Sequence, residues 1–408
     1  MKNGSPRETV LDRPLRLRPV LQNYAWGSRT ALAQLRGEAA PSTQPEAELW
    51  MGAHDVAPSL IEGEDGAQPL NERIADAPAR VLGDRAVERF GDRLPFLFKI
   101  LAAERPLSIQ AHPSQAQAAE GFARENELGI ALADPQRNYR DASHKPELIC
   151  ALSPFDALYG FRKRAESRTL LTRAGFEDLA ALLAGESTEA ALHGLLSHLL
   201  GLSAQAAQDL VERASRAATA GRGEPAFDWV ARLLAEFPGD PMCITPLFLN
   251  VVHLEPGESL YAEAGVLHSY LSGTTIEIMA NSDNVVRAGL TSKHIDTAEL
   301  LRILDFSEVS VAVSAGSCRD VPGGRRWSYD SPAPEFHLQR IELGGSMAID
   351  AFDSLAILVC TSGACRVGRP ELPSETAIRL SSGECALIPR SVALSLEGEA
   401  ALFLASVP

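Results

Sequence analysis

Between Pro106 and Gln115 the chain reads PLSIQAHPSQ. Successive side chains of a strand point to opposite faces, so Ser108, Gln110 and His112 share one face and Ile109 and Ala111 share the other. Further on, SHKPELIC puts Lys145 and Glu147 on one face of an extended segment and turns His144 away, and AGVLHSYL adds His268. Gln110, His112, Glu147 and His268 together supply two imidazole nitrogens and two oxygens. A mixed nitrogen and oxygen set suits Zn²⁺ with a position left open for water or substrate. The carboxamide is an unusual ligand. Being neutral, it leaves the metal its net positive charge and more Lewis acidity.

A second dense stretch, IEIMANSDNVVRAGLTSKHID from Ile276 to Asp296, carries Glu277, Asp283, Arg287 and Lys293 with no clear period. Polar and charged groups strewn through an otherwise apolar region suggest a lined cleft. Only five of the 38 basic residues are lysines: Lys2, Lys99, Lys145, Lys163 and Lys293. A chain that so favours arginine keeps a lysine where a compact or titratable ammonium is needed, and three of the five lie in or beside these motifs.

The elements that must hold these residues are mostly strands. LRLRPVL, AELWMG, LPFLFKIL, LSIQAH and KPELICAL read as strands, with helical patches near Pro69–Leu82 and over Ser114–Leu128, the latter with Ser114 as N-cap. From Lys163 to Phe237 the texture becomes rich in Ala and Leu at helical spacing. His193 and His198 lie in this stretch, five apart and so on different helix faces; they are read as packing or surface residues. Strand texture returns after Asp240. LEPGESLYAEAGVLHSYLSG can be laid on LSSGECALIPRSVALSLEG, matching Gly257 with Gly383 and setting His268 opposite Leu394. The expected fold is mainly β with an inserted α-helical domain and two cupin-like jelly-roll barrels. Residues 1–160 and 240–305 form the catalytic β domain, 161–239 the helical insert, and 306–408 a carboxyl-terminal β domain without a metal site.

At 408 residues the chain exceeds one ordinary core. A formal net charge of −15 argues against a nucleic-acid or membrane-surface role. No apolar run reaches membrane-spanning length, and MKNGSPRETVLDRP lacks the apolar core of a signal peptide. The six cysteines form no CxxC pair, and Cys360 and Cys365 lack a second half-site, so free thiols in a reducing cytoplasm are expected.

These motifs carry a resemblance. LPFLFKILAAERPLSIQAHPSQAQA, SHKPELICAL, YGFR, HSYLSGTTIEIMANSDNVVRAGLTSKHID, NYAWG and AELWMGAH are similar to the type I phosphomannose isomerase family of the cupin superfamily, over about residues 15 to 305. Ser292 departs from the Pro the family usually has before the Lys. The resemblance implies an aldose–ketose isomerase with one Zn²⁺ per chain, interconverting mannose 6-phosphate and fructose 6-phosphate through a cis-enediol. It implies Gln110, His112, Glu147 and His268 as ligands and Arg287 as the active-site arginine. Trp26, Glu48, Lys99, Ser108, Lys145, Glu277, Asp283 and Lys293 match cleft residues, and His144 matches a residue discussed for ring opening.

The chemistry fits these residue types. A developing oxyanion needs fixed positive charge, which Arg287 and the metal supply. A base must carry the proton between C1 and C2; Lys145, Lys293, Glu277 and Asp283 are all candidates. Ser108 and the cleft lysines suit the phosphate. The expected partner is a small sugar phosphate, and the expected state a monomer. An iron-dependent cupin oxygenase is the first competing reading, opposed by the Gln ligand and the lysines. A cupin that has lost catalysis would lack Arg287 or a ligand, and none is lost. A bifunctional enzyme that also makes mannose 1-phosphate would need a nucleotidyl-transfer motif that the sequence does not contain.

Overall fold

The chain is mainly β with a block of helices, as its computed structural model shows; this describes residues 11–63, 66–185 and 187–408. Lys2 and the first ten residues of the segment read for a signal peptide lie outside that set. Six strands position the candidate site: β1 (Glu48–Met51), β2 (Phe96–Ala103), β3 (Ile109–Ala111), β4 (Glu147–Ala151), β5 (His268–Ala280) and β6 (Val286–Gly289). All eight residues of β2 are buried, as a near-continuous apolar run demands of a strand covered on both faces. Pro106 and Pro113, which cannot donate to a ladder, bracket the three-residue β3.

The thirteen-residue β5 is the spine. Its second half pairs with β2 and β4, setting Glu277 opposite Lys99 and Met279 opposite Glu147. Its first half pairs with Phe155–Phe161 and meets β3 at His268 and Gln110. The register slips between Tyr270 and Ser272. Such a slip shifts the alternation by one residue, and Glu277, nine residues beyond His268, comes back to the side of the site. Along β6, Arg287 lies opposite Gln110 and Val286 opposite Ala111.

The helical block runs from Arg164 to Glu236 in five helices, two of them capped by the Ser187 and Ser203 side chains. Leu192, Leu195, Leu196 and Leu199, at i, i+3, i+4 and i+7, are buried. They share one core with Ile109, Ala111, Val286 and Ala288. The block therefore backs β3 and β6, and their alternate residues Gln110 and Arg287 face away from it. His193 and His198 are exposed; His193 meets the Phe306 ring at 5.0 Å and the Ser197 hydroxyl at 3.3 Å from its Nδ1. Ser114 caps the helix Gln115–Glu127 in a capping box with Gln117.

There are two ten-stranded sheets, and among the described residues neither closes on itself. The second sheet joins the carboxyl-terminal strands to Leu15–Arg18, Leu60–Gly63 and Gly66–Pro69. The pairing thus crosses the expected division of the chain at 160 and 306. Leu15 and Leu17 alternate on Leu15–Arg18 and bury into the core that holds Ile61 and Leu387, while the backbone pairs with Cys385–Leu387. The repeated motif appears twice in the same order. Leu249–Leu254, a turn at Gly257 (φ 91°), Ser259–Ala262 and the thirteen-residue β5 match Ile378–Ser381, a turn at Gly383 (φ 82°), Cys385–Ile388 and the thirteen-residue Leu394–Ser406. Both turns take a φ that only glycine adopts freely. No helix of the described residues is long and apolar enough to cross a membrane.

Candidate metal centre and active site

His112, Glu147 and His268 are all but fully buried, and one ligand atom from each lies within 4.8 Å of the others. Among the described residues this is the one group of His, Cys, Asp or Glu side chains so placed. His112 Nδ1 is 2.8 Å from the Asn284 carbonyl oxygen, and His268 Nδ1 is 3.0 Å from that of Val266. A carbonyl can only accept, so both Nδ1 atoms carry the proton and both Nε2 atoms present a lone pair. These face the carboxylate: His112 Nε2 is 3.2 Å from Glu147 Oε1, and His268 Nε2 is 3.6 Å from Oε2. Burial and the Lys145 ammonium hold the His112 imidazole neutral, its pKa lowered to about 4. Its buried Nε2 has no hydrogen-bond partner. Lone pairs gathered around a carboxylate repel unless a cation lies between them, so the donor set fits a metal ion.

Glu147 is braced on both oxygens. Lys145 Nζ lies 2.7 Å from Oε1, and the Tyr270 hydroxyl donates to Oε2 at 2.8 Å. Burial alone would raise this carboxyl; Lys145 and His112 outweigh it and hold it well below the usual range. Burial, with Glu147, pushes the Tyr270 hydroxyl far up, which keeps it a donor. Gln110 approaches this group from β3, its Nε2 3.5 Å from His268 Nε2.

On one flank the cross-strand pair Lys99 and Glu277 forms a buried ion pair at 2.6 Å. Lys99 also lies 3.3 Å from Glu48 Oε1, and Trp50 Nε1 donates to Glu48 Oε2 at 2.6 Å. Burial, with Glu147 and Glu48, pushes the Glu277 carboxyl up to about 7 against the pull of Lys99. Burial would lower the Lys99 ammonium, but Glu277 and Glu48 raise it instead. Toward the surface His54 Nε2 lies 3.3 Å from the half-exposed Asp283 carboxylate. Burial raises the Asp283 carboxyl and His54 more than reverses that.

The other flank is cationic. Arg287 is depressed by burial and by the charge of Arg140, and Lys293 by burial, Arg287 and Arg140. Arg140 is anchored by the carbonyls of Leu132 and Asp134. Among the described residues no carboxylate pairs with Arg287, Lys293 or Arg140. Like charges gathered without a counter-ion raise the local positive potential, which favours an anion.

The family model for the catalytic domain of type I phosphomannose isomerase matches residues 15–164. The mannose-6-phosphate isomerase of Escherichia coli K12 is 38% identical over 372 residues, covering 90% of this chain and 93% of its own. The human enzyme of that name is 34% identical over 408 residues, covering 92% and 93%. The chain belongs to the mannose-6-phosphate isomerase family. A mutant phosphomannose isomerase from Salmonella typhimurium superposes with a TM-score of 0.89 at 35% identity, over 97% of this chain and 99% of that one. A mannose 6-phosphate isomerase structure described as zinc-bound gives 0.88 at the same identity and coverage.

In this mannose-6-phosphate isomerase chain the structure brings together Gln110, His112, Lys145, Glu147, His268, Glu277, Lys99 and Glu48 around one centre, with Asp283 at the rim and Arg287 and Lys293 on the cationic flank. Trp26 is half-buried, stacked at 5.8 Å on Tyr24. Ser108 is half-buried just before β3, its hydroxyl without a partner among the described residues. His144 Nε2 lies 2.7 Å from Glu335 Oε1 of the carboxyl-terminal region, so its ring is engaged away from the braced Glu147 carboxylate. Four residues were not legible beforehand: Tyr270, Asn284, His54 and Arg140. For Tyr270 the signal was available, since two residues beyond His268 on a strand is the same face.

Proposed function

We propose that this chain interconverts D-mannose 6-phosphate and D-fructose 6-phosphate by moving a proton between C1 and C2 through a cis-enediol, with one Zn²⁺ held by Gln110, His112, Glu147 and His268. The observation that carries the reading is the buried His112 Nε2, a lone pair without a hydrogen-bond partner set 3.2 Å from a carboxylate oxygen. Gln110 joins the set with its Oε1, which a half-turn of the carboxamide exchanges for Nε2. When bound, the zinc would supply Lewis acidity to the substrate's oxygens at this centre.

The rest is the work of the chain. Lys145 and Tyr270 orient Glu147 through both oxygens. Glu277 takes and returns the proton. Its carboxyl is raised toward neutrality, where a base is most effective, and Lys99 fixes its orientation. Of the other candidates, Lys145 is paired with Glu147 and the Asp283 carboxyl, beside His54, is lowered rather than raised, while Lys293 lies within the cationic group. The pair of buried His54 and half-exposed Asp283 serves ring opening, since His144 is tied to Glu335. Arg287, Lys293 and Arg140 seat the phosphate, a different role for Arg287 from steadying the oxyanion. Ser108 and Trp26 meet the sugar. We also read the two sheets as the walls of two cupin-like jelly rolls, the first carrying the site and residues 161–239 inserted into it. The repeated order of strands and glycine turns supports this, and Leu394 stands where the first copy has His268.

The test is an isomerase assay in deuterated water on metal-free and zinc-reloaded protein. Zinc-dependent turnover with solvent deuterium in the product supports the reading. Full turnover without deuterium uptake would indicate a hydride shift, and full turnover after complete metal removal would refute the metal role.

A further inference from the structure

Leu290 follows β6 and carries two demands that seldom coincide. Its side chain is 2% exposed, packed in the core of the helical block. Its backbone is left-handed, at φ 54°, a region that a bulky residue enters only when its surroundings hold it there. The holder is Asp240, at the exit of the helical block. Asp240 Oδ2 accepts from the Leu290 N–H at 2.7 Å, and Oδ1 accepts from the Met242 N–H at 2.8 Å, capping the turn Pro241–Leu247. The docking is close: a Cβ on Gly289 would come within 2.5 Å of Met242 Cγ. Arg287 lies three residues before Leu290 and Lys293 three after. The Lys293 N–H donates to Thr291 Oγ1 at 3.1 Å, and the two cations lie close enough to feel each other's charge.

The geometry points to Asp240 as a positioning residue for the phosphate: by clamping the left-handed turn at Leu290, it fixes the path of the loop that carries Lys293 away from the strand that carries Arg287. The turn that follows the helical block, which contributes no ligand to the metal set, thereby acts on substrate affinity. The inference rests on the reading of Arg287 and Lys293 as the phosphate seat. It differs from an effect on the chemical step, because a displaced seat weakens binding of any phosphate.

Asp240→Asn keeps the volume but only one acceptor oxygen. Asp240→Ser keeps a cap for Met242 but is too short to reach Leu290 as well. For each, KM and kcat for mannose 6-phosphate, the inhibition constant of inorganic phosphate and zinc content are measured. Expected is a rise of roughly tenfold in KM and in the phosphate constant together, the scale of one lost hydrogen bond to a charged group, with kcat and zinc near the parent values. Ser187→Ala, which removes a helix cap elsewhere in the block, serves as the control for lowered stability and should change neither constant. An Asp240→Asn or Asp240→Ser protein that folds and keeps both constants overturns the proposal. So does a rise in KM with no change in the phosphate constant, or the same rise in Ser187→Ala. Arg287→Gln is run alongside: if it too leaves KM and the phosphate constant unchanged, the phosphate-seat reading itself falls.

Discussion

Replacing Glu277 by glutamine removes the proposed base while keeping the shape of a side chain that is 1% exposed. A positioned general base contributes about 10²–10⁴ in rate, so kcat should fall by that factor. KM should change little, and zinc should stay bound, because the ligand set is untouched. Stability is affected less than for a lone buried charge. Lys99 loses its 2.6 Å partner but keeps Glu48 at 3.3 Å, so the cost should stay below the roughly 3–5 kcal/mol of leaving a buried ion unpaired. The pH profile gives the sharper reading. A base works deprotonated, so kcat/KM rises with pH through the Glu277 ionisation, which burial sets at about 7 in the metal-free chain. A divalent cation favours the carboxylate, so in the zinc-loaded protein this acid limb should lie below 7. Stability runs the other way: a carboxyl raised on folding contributes stability at low pH and loses it as pH rises from its ordinary 4.5 toward 7. Steady-state kinetics across pH on parent and Glu277→Gln, with metal analysis, decide the matter. A variant that retains zinc and loses less than about threefold in kcat, against the 10²–10⁴ expected of a base, would sink the assignment. A residual activity that keeps the same acid limb would do so as well.

Four further outcomes are expected. His268→Ala should lose zinc and activity together, and a zinc-bound, fully active variant would remove His268 from the ligand set. Metal analysis of the parent should give one zinc per chain; a second equivalent would contradict the reading of Leu394 as the vacated counterpart of His268. Arg287→Ala should raise KM by about 10–100-fold, the loss of a charge-assisted hydrogen bond, and Arg287→Lys should recover part of it; a fall in kcat alone would return Arg287 to the oxyanion. Tyr270→Phe leaves Glu147 Oε2 without its donor and should weaken zinc binding by roughly 10–100-fold, as losses around a metal's ligands do; a competition titration with a chelator reads this directly, and parental affinity would remove Tyr270 from that role.

That Gln110, His112, Glu147 and His268 come close together was legible because it depends on local periodicity. Ile109 and Ala111 bury against the helical block and Gln110 faces away from it, as alternation requires. The same rule turned His144 away from Glu147, and its ring is found on Glu335. Glu277 shows where the rule stops. Counting by twos from His268 puts it on the wrong face, and only the register slip between Tyr270 and Ser272 corrects that. A slip is set by packing between strands and leaves no mark in composition. Asn284 and Arg140 act through backbone carbonyls or through charge at a distance, and neither role has a spacing to read. The membership of Leu15–Arg18 in the carboxyl-terminal sheet was hidden for another reason: alternation says that a strand exists, not which strand it pairs with.

That last pairing bears on how the molecule is made. Leu17 accepts a hydrogen bond from Cys385, 368 residues later in the chain. At about 5–20 residues per second, synthesis leaves a wait of roughly 20–70 s between the emergence of the two. Until then Leu15 and Leu17 have no Leu387 to pack on, and the strand presents an open edge. The six site strands find their ladder partners among residues up to β6, so the ligands can come together on a nascent chain while Leu15–Arg18, paired on one side with Leu60–Gly63, still has its other edge open; β2, β4 and β5 complete their core only when Ile357, Leu387 and Phe403 follow. Ribosome-stalled chains long enough to bring all six site strands out of the exit tunnel should then bind zinc while remaining prone to associate through Leu15–Arg18, and release of the full-length chain should end that tendency.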